Sequence, residues 1–451
     1  MTEAIVAHRE QEDRGEIRGW MMYDWANSAF STTVVTTLLG PYLASIAKTV
    51  GGVQVFGFSF EPDAFFPTCV SISVILQVLF LPLLGTIADY SSLKKRLLLT
   101  FAFIGAIATT LLFFIQADMP LLGANGAVLL AGLLFIIANL AFGAAIVFYN
   151  AFLPDITAPE DRDRVSSQGW ALGYLGGGIL LALNLVLIQL MADTALAVRL
   201  SLASAGVWWL VFTVLFPARR LRQRPALKRL PSGVGYFRQG VRQILKTLGE
   251  IRGKYPETLR YLIAYLIYND GIQTVIVVAT LFATTELKAE PDDLIILVLL
   301  IQFVAFGGAL FFGWLARKLG AKRSIVVSLV IWSVIAIAAY ALLYEMWQLY
   351  VLGIAVAIVL GGSQALSRSL YSQVIPRSNE SEYFGFYEIS ERGTSWIGPL
   401  LFALAVQLTG STRIAVLSVI VFFVVGLILL IPFNVRKAML DSGNNPEGVV
   451  L

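Results

Sequence analysis

Charge is scarce in this sequence. Asp, Glu, Lys and Arg supply 14% of its 451 residues, while 57% are hydrophobic. A soluble domain carries about 25% charged residues and could not cover its surface with so few. Cysteine occurs once, as Cys69, which excludes an internal disulfide and any CxxC metal site. Histidine also occurs once, as His8 in a charged tail, which excludes histidine-based catalysis and zinc chemistry. No Gly-x-x-x-x-Gly-Lys-Ser/Thr loop is present, so the chain has no ATP site of its own. The net charge of +4 is small and offers no nucleic-acid partner a basic face. No metal or cofactor is called for. These absences leave a polytopic membrane protein.

Long apolar runs are what the sequence does have. A helix needs about 20 mostly apolar residues to cross a bilayer core. Such runs fall at 20-47, 64-88, 96-116, 125-150, 167-191, 196-216, 258-284, 294-316, 324-344, 348-370, 384-408 and 412-434, twelve in all. The first 19 residues, with Glu10, Glu12, Asp13, Arg14, Glu16 and Arg18, read as a solvated tail rather than a cleavable leader. With a cytoplasmic N-terminus, 27 of the 33 Lys and Arg residues lie inside, four lie outside (Lys48, Arg199, Lys288, Arg413) and two, Arg260 and Arg392, belong to spans. That asymmetry is the positive-inside pattern. Both termini are therefore expected in the cytoplasm, in a bacterial inner membrane.

Segment 217-257 divides the chain after six spans. Eleven Lys and Arg residues stand there over 217-256, with Glu250 the one acid in that stretch. It reads as a topology-setting cytoplasmic linker, with contact to anionic lipid headgroups as the functional alternative. Two motifs then repeat. Gly85-Thr-Ile-Ala-Asp89 leads to Lys94, Lys95 and Arg96, and Gly313-Trp-Leu-Ala-Arg317 leads to Lys322 and Arg323, at an offset of 228 (313 − 85). Tyr149-Asn150…Pro154 and Tyr371-Ser372…Pro376 match at 222 (371 − 149). A six-span unit used twice, with a site between the halves, is a transporter architecture. The expected organisation is a tail at 1-19, bundles at 20-216 and 258-434 flanking the linker, and a tail at 435-451.

The Gly85…Asp89…Lys94-Lys95-Arg96 turn resembles the loop signature of the major facilitator superfamily, with Tyr90 and Ser92 where that family usually has Arg and Gly. The second copy has Arg317 in place of the acid. Three further strings narrow the resemblance: Tyr23-Asp24-Trp25-Ala26-Asn27-Ser28-Ala29-Phe30, the glycine-rich stretch from Arg164 to Gly178, and Tyr268-Asn269-Asp270-Gly271-Ile-Gln273. Together they resemble the first "unknown major facilitator" family, which includes the autophagy-related vacuolar amino-acid effluxers. The resemblance covers residues 20-434. It implies the major facilitator fold, twelve helices in two pseudo-symmetric six-helix bundles rocking about a central cavity. It also implies small-molecule transport, and amino-acid efflux for the eukaryotic branch.

Ionisable residues inside the hydrocarbon region cost at least ~2.5–3.5 kcal/mol and are default functional candidates. Asp24 and Asn27 share a helix face, and Asp24 lies about 9 Å past Arg18, near the cytoplasmic quarter. It is either a protonatable cavity residue or part of a gate at the inner mouth. Asp270 lies about 15 Å past Arg260, near mid-membrane, with Asn269 and Gln273 beside it. Proton uptake and release, or substrate contact, suits it best; the alternative is a hydrogen-bonding role without transport duty. Glu388, Glu391 and Arg392 open the eleventh span, where Glu388 and Arg392 are spaced for a local salt bridge. One carboxylate is then left for a proton, an amine, or Arg368. The cluster suits either a substrate or a gate, and Gln364 is a further cavity candidate. Gating candidates are Gly85, Asp89, Lys94, Lys95, Arg96, Arg164, Gly313, Arg317 and Arg368, with Arg164 and Glu382 expected to face the first loop. The tryptophans Trp20, Trp25, Trp170, Trp208, Trp209 and Trp347 read mostly as interface anchors.

A monomeric secondary transporter of a small organic solute, coupled to protons and embedded in lipid, is the function these features favour. A lipid flippase on the same fold is the alternative. A polytopic enzyme would need a nucleophile or metal-binding acids clustered at one face, and the sequence has neither.

Overall fold

The computed structural model describes residues 13–451 apart from 56, 227, 229–235, 378 and 393–396. His8 and the side chain of Arg392 lie outside the described residues. Among the described residues, eleven helices are long and apolar enough to cross a membrane. In chain order the elements are α1 (Arg14–Ala29), a π-helical stretch Phe30–Leu38, α2 (Leu39–Lys48), the short antiparallel strands β1 (Val53–Val55) and β2 (Phe58–Phe60), α3 (Pro62–Tyr90), α4 (Lys94–Leu111), α5 (Gly123–Ile156), α6 (Arg162–Leu190), α7 (Thr194–Leu215) and the short α8 (Pro217–Arg220). The second half holds α9 (Tyr236–Gly253), α10 (Pro256–Thr285), α11 (Pro291–Leu319), α12 (Ala321–Leu342), α13 (Met346–Val374), α14 (Glu380–Arg392), α15 (Ile397–Thr409), α16 (Thr412–Val416), α17 (Ile420–Leu430) and α18 (Val435–Asp441). The run expected at 384-408 falls on α14 and the shorter apolar α15. Several helices run past the expected spans: the 125-150 run lies within Gly123–Ile156. Hydropathy marks only the lipid-depth portion of a helix, while backbone hydrogen bonding continues into the headgroup layer.

Local chemistry sets the ends. Asp13 accepts the Gly15 and Glu16 amides and starts α1. Prolines 62, 256 and 291 sit in the first turns of α3, α10 and α11, where a missing N–H costs nothing. Glu290 with Asp293, and Glu345 with Gln348, form reciprocal capping boxes at α11 and α13. Gly320 ends α11 at φ +85°, a left-handed conformation that a side chain would strain.

Large aliphatic side chains such as Leu79, Leu183, Val277, Val334 and Ile428 are exposed on the outer surface, as lipid contact requires. The interior holds Trp20, Trp209, Trp332 and six tyrosines of the second half, all fully buried. Trp20 and Trp209 are therefore core residues rather than interface anchors, and Trp170 lines a cavity; Trp347 is exposed beside the start of α13. The expected linker is not merely irregular chain, because it contains the amphipathic helix α9, packed on α3 and touching α10. Its spacing of apolar residues is diluted by seven basic residues between Lys228 and Lys254, which the linker reading took as topology signals. The start of the linker is tied to α1: Arg224 clasps the Glu16 carboxylate at 2.8 and 2.9 Å, and Arg222 pairs with Asp13.

Candidate functional site

The halves meet along α6 with α11 and along α3 with α14. Glycines make these approaches close. A methyl at Gly85 would collide with the Ser381 backbone, and one at Gly313 would lie 2.6 Å from Ser167 Cβ. The two copies of the repeat thus each place their glycine against the opposite half. Within the first half, glycines 169, 173, 176 and 177 of α6 let α1 and the π-helical stretch pack directly on it, meeting Asp24, Ser28, Trp25 and Thr32. Their small size is a packing device.

Between the halves lies a cavity of about 1170 Å³. It opens at the end opposite the termini, where exposed Pro41, Ser45 and Thr194 form its rim. Its upper wall is mostly aliphatic, with Val70, Val74, Val278, Ile335, Leu349 and Val356. Its floor is polar: Asp24, Asn27, Asn150, Trp170, Gln364, Arg368, Tyr387 and Glu391. Among the described residues, Asp24, Arg368 and Glu391 are the lining side chains that bear a carboxyl or guanidinium group. The π-helical stretch forms one wall, where Thr36 and Thr37 hydroxyls donate to carbonyls five residues back and Gln302 of the other half donates to Thr32 Oγ1 at 2.7 Å. Such stretches frequently mark functional sites.

Arg368 organises the floor. It leaves α13, enters the first half and is only 3% exposed. Its Nη1 and Nη2 both donate to Asp24 Oδ2 at 3.1 Å, while Nε and Nη2 donate to the Ser166 hydroxyl and carbonyl at 2.9 Å each. Tyr149 donates to the same Asp24 oxygen at 2.7 Å. The guanidinium also lies over three aromatic rings of the first half, 4.8 Å from Trp20, 5.4 Å from Tyr149 and 5.5 Å from Trp170. Sequence reasoning offered a leftover Glu388 or Glu391 as its partner; the structure gives it Asp24, because α13 crosses α6 at Ser166 and turns Arg368 toward the first half. Glu391 accepts from Tyr265 at 3.3 Å, and its backbone carbonyl accepts from Asn269. Gln364 donates to Asn269 at 3.0 Å. Asn27 Nδ2, Trp170 Nε1 and Gln364 Oε1 have no hydrogen-bond partner among the described residues.

Several expected site residues lie elsewhere. Asp270 is fully buried as expected but does not line the cavity; among the described residues no side chain donates to its carboxyl, which faces the Gly398 backbone, and Gly271 beside it packs on Phe422 and Phe423. Asn269 is behind the wall as well, while Gln273 reaches it. Glu388 is buried outside the cavity and accepts from Asn150 of the other half at 3.0 Å.

The end nearest the termini is closed. Asp89 accepts the Ser381 and Glu382 amides at 3.0 and 2.9 Å, capping α14 across the boundary between halves. Lys94 does not pair across that boundary as expected: it is drawn to Asp155 of its own half at 3.0 Å. Arg96 and Arg317 are exposed, Lys95 is half-buried, and Arg164 pairs with Asp161 at 2.7 Å instead of facing the first loop. Sequence reasoning missed most of the remaining seal. Arg162 donates to the Ser372 carbonyl at 2.8 Å, Ser369 and Gln373 donate to Asp163 at 2.5 and 3.3 Å, and Ser166 donates to the Ala365 carbonyl at 2.7 Å. The serine spacing 363-367 and 369-372 on α13 was the available signal. Burial pushes the Glu382 carboxyl above the ordinary carboxylate range, against the opposing pull of the Thr247 and Asn379 side chains and of Lys228.

Residues 12–443 match the family described as vacuole effluxer Atg22 like. The uncharacterized MFS-type (major facilitator) transporter YxiO of Bacillus subtilis is 33% identical over 417 residues, covering 91% of this chain and 93% of that protein. Autophagy-related protein 22 of Yarrowia lipolytica is 28% identical, covering 84% and 77%. Among solved structures, the fucose:proton symporter FucP of E. coli is similar at a TM-score of 0.67 and 12% identity, covering 93% of this chain and 98% of that one. A bacterial homologue of the iron transporter ferroportin in its outward-facing state gives a TM-score of 0.66 at 16% identity, covering 94% and 99%.

Proposed function

We propose, from the premise that this chain belongs to the vacuole effluxer Atg22-like family of major facilitator transporters, that it is a proton-coupled secondary transporter whose cargo carries adjacent opposite charges, an amino acid being the simplest. The observation that carries this reading is the Asp24–Arg368 pair, which is at once the cavity floor and a contact between halves. A cargo carboxylate presents Arg368 with the acceptor geometry that Asp24 now supplies, and its ammonium finds Asp24 or Glu391. Inserting between the two charges keeps both paired while loosening the halves. Asn27, Trp170 and Gln364 supply further donors and an acceptor at the same level. The aliphatic upper wall suits an apolar side chain.

Alternating access then consists of 20-216 and 258-434 rocking about the cavity, with the seal around Asp89, Arg162 and Arg368 opening as the rim closes. Both termini and the closed end are assigned to the cytoplasm of a bacterial inner membrane on the Lys and Arg asymmetry, and the unit is a monomer. Proton coupling is assigned to the acids Asp24, Glu391 and Asp270. Counterflow of labelled amino acids into proteoliposomes tests the reading; vesicles that take up none under a pH gradient of either sign would refute it. The aliphatic wall favours, as a second reading, an amphiphile as cargo, and lipid scrambling by the same vesicles would select it.

A further inference from the structure

The helix α9 lies across the closed end and touches both sides of the seal. On the first half, Gln239 donates to the Tyr90 hydroxyl at 3.1 Å, and that hydroxyl donates to Gln243 at 2.9 Å. Lys228, just before α9, lies 5.3 Å from the centre of the Tyr90 ring. On the second half, α9 packs against α10, and Thr247 lies beside the Glu382 side chain, one residue from the serine whose amide Asp89 also caps. Gln239, Gln243, Thr247 and Ile251, spaced four apart, form the buried stripe. The helix is therefore a strap over the Asp89 cap.

Among the described residues, none covers the opposite face. Val241 is 42% and Leu245 67% exposed, and Arg242, Lys246 and Arg252 are exposed with them. At 3.6 residues per turn these five positions share one arc, an apolar strip edged by bases. Lys246 approaches Glu250 at 3.5 Å, an exposed pair that leaves the arc basic. Depth decides what this arc meets. A methyl on Gly240 would collide with the Leu83 side chain, so α9 lies against α3 seven residues before its end at Tyr90, about 10 Å along that helix. Leu79 and Phe80, the last large lipid-facing residues of α3, are one turn further in. The strap is therefore level with the headgroup layer.

We infer that α9 is an interfacial helix whose outer arc seats on anionic phospholipid headgroups, Leu245 and Val241 entering the acyl boundary while Arg242, Lys246 and Arg252 hold phosphates, and that this contact keeps the strap on the closed gate. An apolar strip beside bases at that depth is the pattern such helices use. The inference does not depend on the cargo. The test uses the full chain with Cys69→Ser in nanodiscs of phosphatidylcholine, with and without phosphatidylglycerol. A fluorophore on Leu245→Cys is expected to be quenched by brominated lipid, and more by brominated phosphatidylglycerol than by brominated phosphatidylcholine. Arg242→Gln with Lys246→Gln, both exposed and remote from the core, should remove that preference, about fivefold per base, and added salt should weaken it. In a separate chain, spin labels on Arg219→Cys and Lys318→Cys should report a larger closed fraction with phosphatidylglycerol, a gain the double glutamine variant lacks. No quenching by either lipid, equal quenching by both, or a lipid preference with an unchanged spin-label distance would each overturn the inference.

Discussion

Arg368 concentrates more of this protein's physics than any other side chain. Its guanidinium is buried, and removing the partner of a buried charge costs about 3–5 kcal/mol, because the survivor is left without compensation. Asp24→Asn is therefore expected to lower thermal stability sharply, while Asp24→Asn with Arg368→Gln recovers stability but not transport; melting curves and counterflow on the same preparations check this. Arg368→Lys keeps the charge but loses the two-pronged fork onto Asp24 and the second grip on Ser166. Uptake should fall by an order of magnitude or more, with the chain still folded. Asp270 is the contrasting residue, a buried carboxyl away from the cavity with no side-chain donor among the described residues. Asp270→Asn preserves its shape, so insertion should be normal while the pH dependence of uptake is lost. An unaltered pH profile would remove Asp270 from the coupling scheme. Both acids were visible in the sequence as charges in apolar runs. Their partners were not, since Asp24 meets Arg368 across 344 positions of chain.

At the scale of elements, the closed end is a set of helix ends gripped by side chains. Asp89 satisfies two amides that α14 would otherwise leave bare, and a carboxylate at a helix start also opposes the helix dipole. Asp89→Ala should weaken the cap by about 0.5–2 kcal/mol, shifting the closed-to-open ratio several-fold toward opening at the end nearest the termini. Spin labels on Arg219→Cys and Lys318→Cys would register this as a longer distance. The repeat in the sequence located both glycine contacts, Gly85 on Ser381 and Gly313 on Ser167, because only a missing side chain allows such approach. It did not reveal that the second copy lacks the cap. Arg317 stands where the acid would be and is exposed, and α6 is held instead by Arg162 and Asp163 against serines of α13. The strap α9 was hidden for a related reason: its bases dominate the local composition, and its buried stripe is polar rather than aliphatic.

For the whole molecule, the cavity is open at the rim and sealed at the end nearest the termini, one of the two arrangements that the proposed alternating access requires. In a Cys69→Ser background, cysteine at Ser45 on the rim should react readily with a bulky aqueous maleimide, whereas cysteine at Ser369 in the seal should be protected. Adding transported solute should protect the first and expose the second. Reactivity of both positions that ignores solute would argue against alternating access. Closure at one end while the other is open follows from economy of contact: the polar seal around Asp89, Arg162 and Arg368 is extensive, and opposite it the described lining is largely aliphatic.

The sequence by itself determined that the chain is a membrane protein, where most helices run, that its motifs repeat, and that Asp24 and Asp270 are charges set in apolar runs, because hydrophobic length and the cost of a charge in lipid are local properties of a segment. Tertiary structure alone decided which of those charges meet. Asp24 closes on Arg368, Asp89 on the amides of α14, and Asp270 on no described side chain, since pairing depends on how helices cross and how deeply glycines let them approach. It also decided that the basic linker folds into a helix laid across the seal, since that helix is held by its contacts with α3 and α10.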